Sequence, residues 1–321
     1  MVGQGKRFVG VVLCLAALVA ACGGEADGDP VERLEEMGTL RYLIAAPTDG
    51  GQVLASQDDE TLMPLASVFK LYVLGALVEA VDAGGITWDD PVRIRDELVS
   101  LGEGPMAEEE PGSMLPVRQL ALWMIRESDN TATDHLMDLV GREAVEQIQL
   151  EMGHSEPTVN MPGMTTRELT ILLWSESDVG ERYSAAGASE RWAILEDEVA
   201  NLPLPAGEQT DTLVYSFPYS IGWLGTTGDA CRALAWLMED DEARAILTNR
   251  PLSPNPDLWP MLGFKGGWGN STASTAMLDA GQRRAGLRDS CQPRERDESA
   301  GRGQSRRTDG DAARRDGHPR R

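Results

Sequence analysis

The apolar positions of this chain change period along its length. Residues 68–83 are apolar nearly all round (Phe69, Leu71, Tyr72, Val73, Leu74, Ala76, Leu77, Val81), which predicts a helix buried on every side, closed by Gly84 and Gly85. Residues 40–46 and 52–56, separated by Pro47, Thr48, Asp49, Gly50 and Gly51, predict two strands around a turn. Residues 116–125 and 132–140 predict amphipathic helices on either side of a polar break at Ser128, Asp129 and Asn130. Further helices are predicted at 143–152, 166–174 and 229–247, and a short strand at 262–267. Helices fill the middle and strands lie near both ends. That order predicts an α+β fold in which a terminal antiparallel sheet packs against a helical body. No internal repeat is present.

The two ends read differently from the body. Lys6 and Arg7 precede an apolar run at residues 8–21, too short to span a membrane comfortably, which reads as an export signal. It ends in Val19, Ala20, Ala21 and Cys22, which resembles a bacterial lipobox, where the cysteine is lipidated and becomes the mature N-terminus. The expected organisation is a lipoprotein signal peptide at 1–21, a tether at 22–37, one catalytic domain at 38–280 and a tail at 281–321. The expected location is the bacterial cell envelope, with the protein exported and anchored to the membrane through lipid.

No Phe, Tyr or Trp follows Trp268, and residues 281–321 hold 12 Arg against 7 acidic residues. A solvated, disordered tail is the direct expectation. A reading frame lost near Gly269 is the alternative, and either leaves the C-terminal strands missing or altered. With Cys14 in the signal and Cys22 lipidated, Cys231 and Cys291 remain, and they make no disulfide framework.

Composition narrows the chemistry. The 29 basic and 52 acidic residues leave a net charge of −23, which argues against nucleic acid and against anionic lipid as surface partners. The expected partner is a small molecule, acted on by a monomer. His135, His154 and His318 form neither HExxH nor a Cys/His cluster, so no metal and no cofactor is implied. His135 reads as a surface or capping group. Of the 29 basic residues only Lys6, Lys70 and Lys265 are lysine. Arginine cannot be deprotonated in a protein, whereas a desolvated lysine can act as a base. Lys6 belongs to the signal, so Lys70 and Lys265 are the candidates for chemistry.

Ser67, Val68, Phe69 and Lys70 form SxxK at the start of the buried helix. Spacing of three puts the lysine amine on the same face as the serine hydroxyl, where it can take the hydroxyl proton. The helix N-terminus favours an oxyanion forming beside it. Ser128, Asp129, Asn130 and then Lys265, Gly266, Gly267 follow in order.

With SxxK, SDN and KGG in this order, the chain resembles the class A β-lactamase and penicillin-binding serine hydrolase family over roughly residues 38–268. The resemblance implies that Ser67 attacks a carbonyl, Lys70 is its base or proton relay, and Ser128 passes a proton to the leaving nitrogen. It implies that Asn130 binds the substrate amide and Lys70, and that Lys265 attracts the substrate carboxylate. The backbone around Gly267, through the N–H groups of Ser67 and Trp268, would form the oxyanion hole. The third motif departs from the family's KTG or KSG, so a substrate-binding hydroxyl is missing. The omega loop is short: Glu156, Pro157, Thr158, Val159, Asn160 fits the family's ExxxN pattern, making Glu156 the candidate deacylating base, but Thr165 follows close behind. The implied substrate is a β-lactam or a related, peptidoglycan-derived cell-wall amide. A D-alanyl-D-alanine peptidase shares every motif, and a non-catalytic envelope lipoprotein using the fold for binding is the reading from another class.

Overall fold

The computed structural model describes residues 41–45, 53–102, 104–205, 221–249, 262–269 and 272–279. The expectations for the signal, for Cys22 and the tether, and for the 281–321 tail lie outside the described residues. The strands are β1 (Tyr42–Ala45), β2 (Val53–Gln57), β3 (Met63–Pro64), β4 (Pro91–Arg93), β5 (Met114–Pro116), β6 (Leu224–Gly225), β7 (Leu262–Gly269) and β8 (Thr272–Asp279). The helices are α1 (Lys70–Asp82), α2 (Val117–Arg126), α3 (Asn130–Val140), α4 (Arg142–Glu151), α5 (Thr166–Trp174), α6 (Val179–Ala185), α7 (Ala188–Ala193), α8 (Thr227–Leu237) and α9 (Asp241–Leu247).

Helix α1 is the axis of the core. Leu71, Val73, Leu74 and Leu77 are fully buried, and α2, α3, α4 and α8 pack around it. Each buried leucine of this kind contributes roughly 1.5–3 kcal/mol. The helix ends where Gly84 takes φ +73°, a left-handed conformation that only glycine adopts without penalty. At its other end a 3₁₀ turn, Ala66–Phe69, leads into Lys70, so Ser67 sits in a tighter turn than the predicted continuous helix at 68–83.

The strands pair antiparallel as β1–β2, β3–β6, β4–β5 and β7–β8. Both long hairpins come to rest on α8, β1 from the N-terminal side and β8 from the C-terminal side. No ladder among the described residues joins the two hairpins into one sheet. The fold is the expected α+β type, with strands from both chain ends on a helical body.

Several expectations need correction. The strand predicted at 262–267 runs to Gly269 and pairs with β8 in unbroken register from Leu262↔Asp279 to Gly269↔Thr272. A further strand therefore follows where missing or altered strands were expected. Its sequence, TASTAMLD, is small rather than strongly apolar, so hydropathy hides it; the hydrogen-bond ladder and the burial of Ala276 hold it. The predicted helix at 229–247 is two helices, because the Asp240 side chain accepts the Ala243 N–H at 2.7 Å and starts α9. His135 is buried, not superficial: it accepts the Arg95 N–H at 2.9 Å through Nε2 while Nδ1 faces the Thr131 carbonyl at 2.7 Å. Cys231 is disulfide-bonded, its partner lying outside the described residues; two cysteines without a spacing pattern carry no signal for pairing.

Candidate functional site

The elements converge on Lys70. It is fully buried at the first position of α1, in a helix that otherwise presents apolar side chains to the core. Its Nζ lies 2.5 Å from the Ser128 carbonyl, 2.7 Å from Asn130 Oδ1 and 3.2 Å from Ser128 Oγ. Burial pushes its pKa down to about 7, against the opposing pull of the Asp134 and Asp129 carboxylates. Desolvation wins, and the amine is poised to lose its proton near neutral pH.

Ser128 faces Lys70 with both its carbonyl and its hydroxyl because its backbone is left-handed, at φ +58°. For a residue with a Cβ that conformation costs about 1–2 kcal/mol. Asp129, the middle residue of the triplet, stabilises this turn: its carboxylate caps α3 by accepting the Ala132 N–H and fixes the preceding loop by accepting the Met106 N–H, at 2.8 and 2.9 Å. Asn130 opens α3, with its Nδ2 donating to the Leu101 carbonyl at 2.6 Å.

Lys265 arrives from β7, also almost fully buried. It donates to Ser128 Oγ at 3.0 Å and to the Gly266 carbonyl at 2.6 Å. The Ser128 hydroxyl therefore lies between two lysine amines. Lys70 Nζ donates to the Ser128 carbonyl, to Asn130 Oδ1 and to Ser128 Oγ, and Lys265 donates to the same oxygen.

Ser67 is half-buried, and among the described residues its hydroxyl makes no hydrogen bond, so it is available to an incoming group. Its backbone is tightly held. Ala66 adopts φ +46°, Leu65 N–H donates to the Trp223 carbonyl at 2.8 Å, and Val68 N–H donates to the Leu65 carbonyl at 3.0 Å. Gly267 passes directly over this turn, since a Cβ there would lie 2.7 Å from Ser67 N and 2.8 Å from the Leu65 oxygen. Trp268, next along β7, pairs with Ala273.

Glu156 is not brought to this cluster. It is exposed, at the start of a short 3₁₀ turn (Pro157–Asn160), and no hydrogen bond joins it to Lys70 among the described residues. The cause is local. His154 is drawn inward and accepts the Glu156 N–H at 3.0 Å through Nδ1, and Ser155 is tied to Asp229 through its N–H at 2.7 Å and its hydroxyl at 2.9 Å. The next side chain consequently faces solvent. Asn160 is buried, and its amide is occupied by the Leu224 N–H at 2.8 Å, the Leu224 carbonyl at 2.9 Å and Gln149 Oε1 at 2.8 Å.

One residue absent from the sequence reading belongs here. Asp134, one turn beyond Asn130, is buried and accepts the Thr166 N–H, the Thr166 hydroxyl and the Arg167 N–H, at 2.7, 2.8 and 2.8 Å. It docks the start of α5 onto α3, and burial pushes its carboxyl up to about 7 despite those donors. The one sequence signal for it is an acidic residue on the inward face of a helix, i+4 from Asn130.

Comparison with known proteins places these features in context. Residues 35–201 match the family model described as the Beta-lactamase enzyme family. A β-lactamase of Rhodobacter capsulatus is 29% identical over 223 residues, covering 67% of this chain and 70% of the relative. The β-lactamase VEB-1 of Pseudomonas aeruginosa is 27% identical over 140 residues, and this match spans 47% of that relative's length. Among solved structures, the β-lactamase of Sphaerobacter thermophilus superposes with a TM-score of 0.50 at 22% identity, covering 83% of this chain and 82% of that one, which speaks to the fold.

The close approach of Gly267 yields a prediction. Gly267→Ala forces backbone against backbone, so the variant should lose about 1–3 kcal/mol of unfolding free energy, measured as a lowered urea midpoint at unchanged slope. An unchanged midpoint would show that β7 does not lie against the Ser67 turn.

Proposed function

The chain belongs to the Beta-lactamase enzyme family, and from that premise we propose that it is a serine hydrolase that opens a β-lactam or a related cell-wall amide through an acyl-enzyme on Ser67. The observation that carries this reading is the buried Lys70 amine, held by Ser128 and Asn130 one turn after a serine whose hydroxyl makes no hydrogen bond among the described residues. Lys70 accepts the Ser67 proton as Oγ bonds to the carbonyl carbon. The carbon–nitrogen bond then breaks, and the nitrogen takes a proton from Ser128, which is replenished from Lys70. Lys265 holds the Ser128 oxygen and attracts a substrate carboxylate. The backbone N–H groups of Ser67 and Trp268, either side of Gly267, receive the developing oxyanion. Asn130, whose Nδ2 has no bond beyond that to the Leu101 carbonyl among the described residues, takes the substrate amide.

Release of the acyl group by water is the slower half in this reading. Glu156 faces solvent and Asn160 is committed to Leu224, which favours a long-lived adduct of the kind formed by penicillin-binding D-alanyl-D-alanine peptidases. That specific geometry is the ground for keeping the peptidase as the second reading. The same buried pair of lysines weighs against a purely binding role, because two desolvated amines are costly to keep without a use.

Two expected outcomes test these proposals. Covalent labelling of the full chain by a fluorescent penicillin should rise as pH increases through about 7, the value to which burial lowers Lys70: below it the amine is protonated and cannot accept the Ser67 proton, above it the amine is free. Ser67→Ala should abolish labelling without loss of folding. A labelled Ser67→Ala protein, or a rate independent of pH between about 5 and 9, would overturn the assignment. We further propose export with a lipid on Cys22, supported by the lipobox-like segment and by the Cys231 disulfide, a bond that persists in oxidising compartments. Cys22→Ala should then leave the membrane fraction or accumulate unprocessed, and unchanged partitioning with normal processing would refute the anchor.

A further inference from the structure

The turn that carries Ser67 is held from a second side by Ser274. Ser274, on β8, is directly opposite Gly267 in the β7–β8 register. Its hydroxyl donates to the Leu65 carbonyl at 2.5 Å, across β7 rather than within it. The path is open only because position 267 has no side chain: a Cβ there would lie 2.6 Å from Ser274 Oγ and 2.8 Å from the Leu65 oxygen. Glycine at 267 therefore serves two contacts at once, the approach to Ser67 N and the reach of Ser274.

The consequence follows from backbone geometry. The Leu65–Ala66 peptide plane is held at its oxygen by the Ser274 hydroxyl and the Val68 N–H, and the plane before it, which carries the Leu65 N–H, is held by the bond to the Trp223 carbonyl. Ala66, at φ +46°, joins that plane to the next, which carries the Ser67 N–H. An alanine held left-handed relaxes toward negative φ when its neighbours allow it, and that rotation turns the Ser67 N–H and displaces the Ser67 side chain. We propose that Ser274 is a positioning residue for the nucleophile, its hydroxyl holding the Leu65 carbonyl so that Ala66 stays left-handed and Ser67 stays aimed into the site. This rests on the acyl-enzyme reading above and adds to it the requirement for a hydroxyl on β8, a strand that hydropathy does not reveal.

The test compares Ser274→Thr with Ser274→Val in the full chain, a pair of equal shape that differs only in the hydroxyl. Two readouts are taken: the acylation rate with a fluorescent penicillin, resolved into apparent affinity and maximal rate, and amide hydrogen exchange at residues 67–69. The expected result is a maximal acylation rate about tenfold to a hundredfold lower in Ser274→Val, with apparent affinity little changed and amide exchange at Ser67 and Val68 accelerated. Ser274→Thr should restore both toward the unmodified protein. Equal behaviour of the two variants, in rate and in exchange, overturns the proposal, because packing alone would then explain the position. If the unmodified protein itself takes no label, the acyl-enzyme reading fails, while the exchange comparison still decides whether the hydroxyl orders the turn.

Discussion

Burial of one lysine amine in the start of the central helix is the constraint on which the rest of this structure depends. A charged amine in an apolar core costs several kcal/mol unless it is paired or loses its proton. Here the residues around Lys70 supply a carbonyl, an amide oxygen and a hydroxyl at hydrogen-bond distance, and two carboxylates at longer range. The balance brings the amine to about 7, between the ammonium expected in water and the neutral base expected in a dry core. Ser128 must be left-handed to offer two groups to it, Asp129 must cap α3 to keep Ser128 there, and Asn130 must open that helix. The SDN triplet is thus one turn built around a buried amine, with only its first and third residues touching it.

A second layer controls the nucleophile through the backbone. Ser67 sits in a 3₁₀ turn with a left-handed alanine before it, and its neighbours are held by Trp223, by Gly267 and by Ser274. Asn160 adds to the same layer by clasping Leu224, whose strand β6 pairs with β3 just ahead of the turn. The short segment between α4 and α5 therefore braces the nucleophile's turn, with its one exposed carboxylate, Glu156, turned away. Among the described residues the attacking serine is thus braced through its backbone, while the carboxylate of this segment faces solvent rather than the cluster around Lys70.

Much of this was legible in the sequence, and the reasons differ by residue. The α1 core showed because its apolar run has no polar face, and Lys70 and Lys265 stood out because the chain otherwise uses arginine. The order of the three motifs carried the family. The helix predicted at 166–174 is present as α5, and the structure adds a capping box between Thr165 and Glu168 at its start. Other features were hidden for physical reasons. Strand β8 opens on a run of small and polar residues, Thr272 to Ala276, which its pairing with β7 orders and hydropathy does not mark. The letters ExxxN at 156–160 are present, but the direction of Glu156 is set by Ser155 and His154 bonding to Asp229 and Leu224, groups distant in the chain. Asp134 bonds groups at the start of α5 and Ser274 bonds the Leu65 carbonyl, pairings between residues distant in the chain that no local pattern marks.

The most direct measurement is the titration of Lys70 itself in the folded protein. The chain has only Lys6, Lys70 and Lys265 as lysines, so the side-chain Cε and Nζ resonances of lysine-labelled protein form a spectrum that Lys70→Arg and Lys265→Arg suffice to assign. The account predicts that the Lys70 resonance moves through a midpoint near 7, as the buried amine gives up its proton. A Lys70 midpoint near the solvent-exposed lysine value of about 10.4 would contradict it, since the amine would then be a fixed charge at neutral pH and could not be the base.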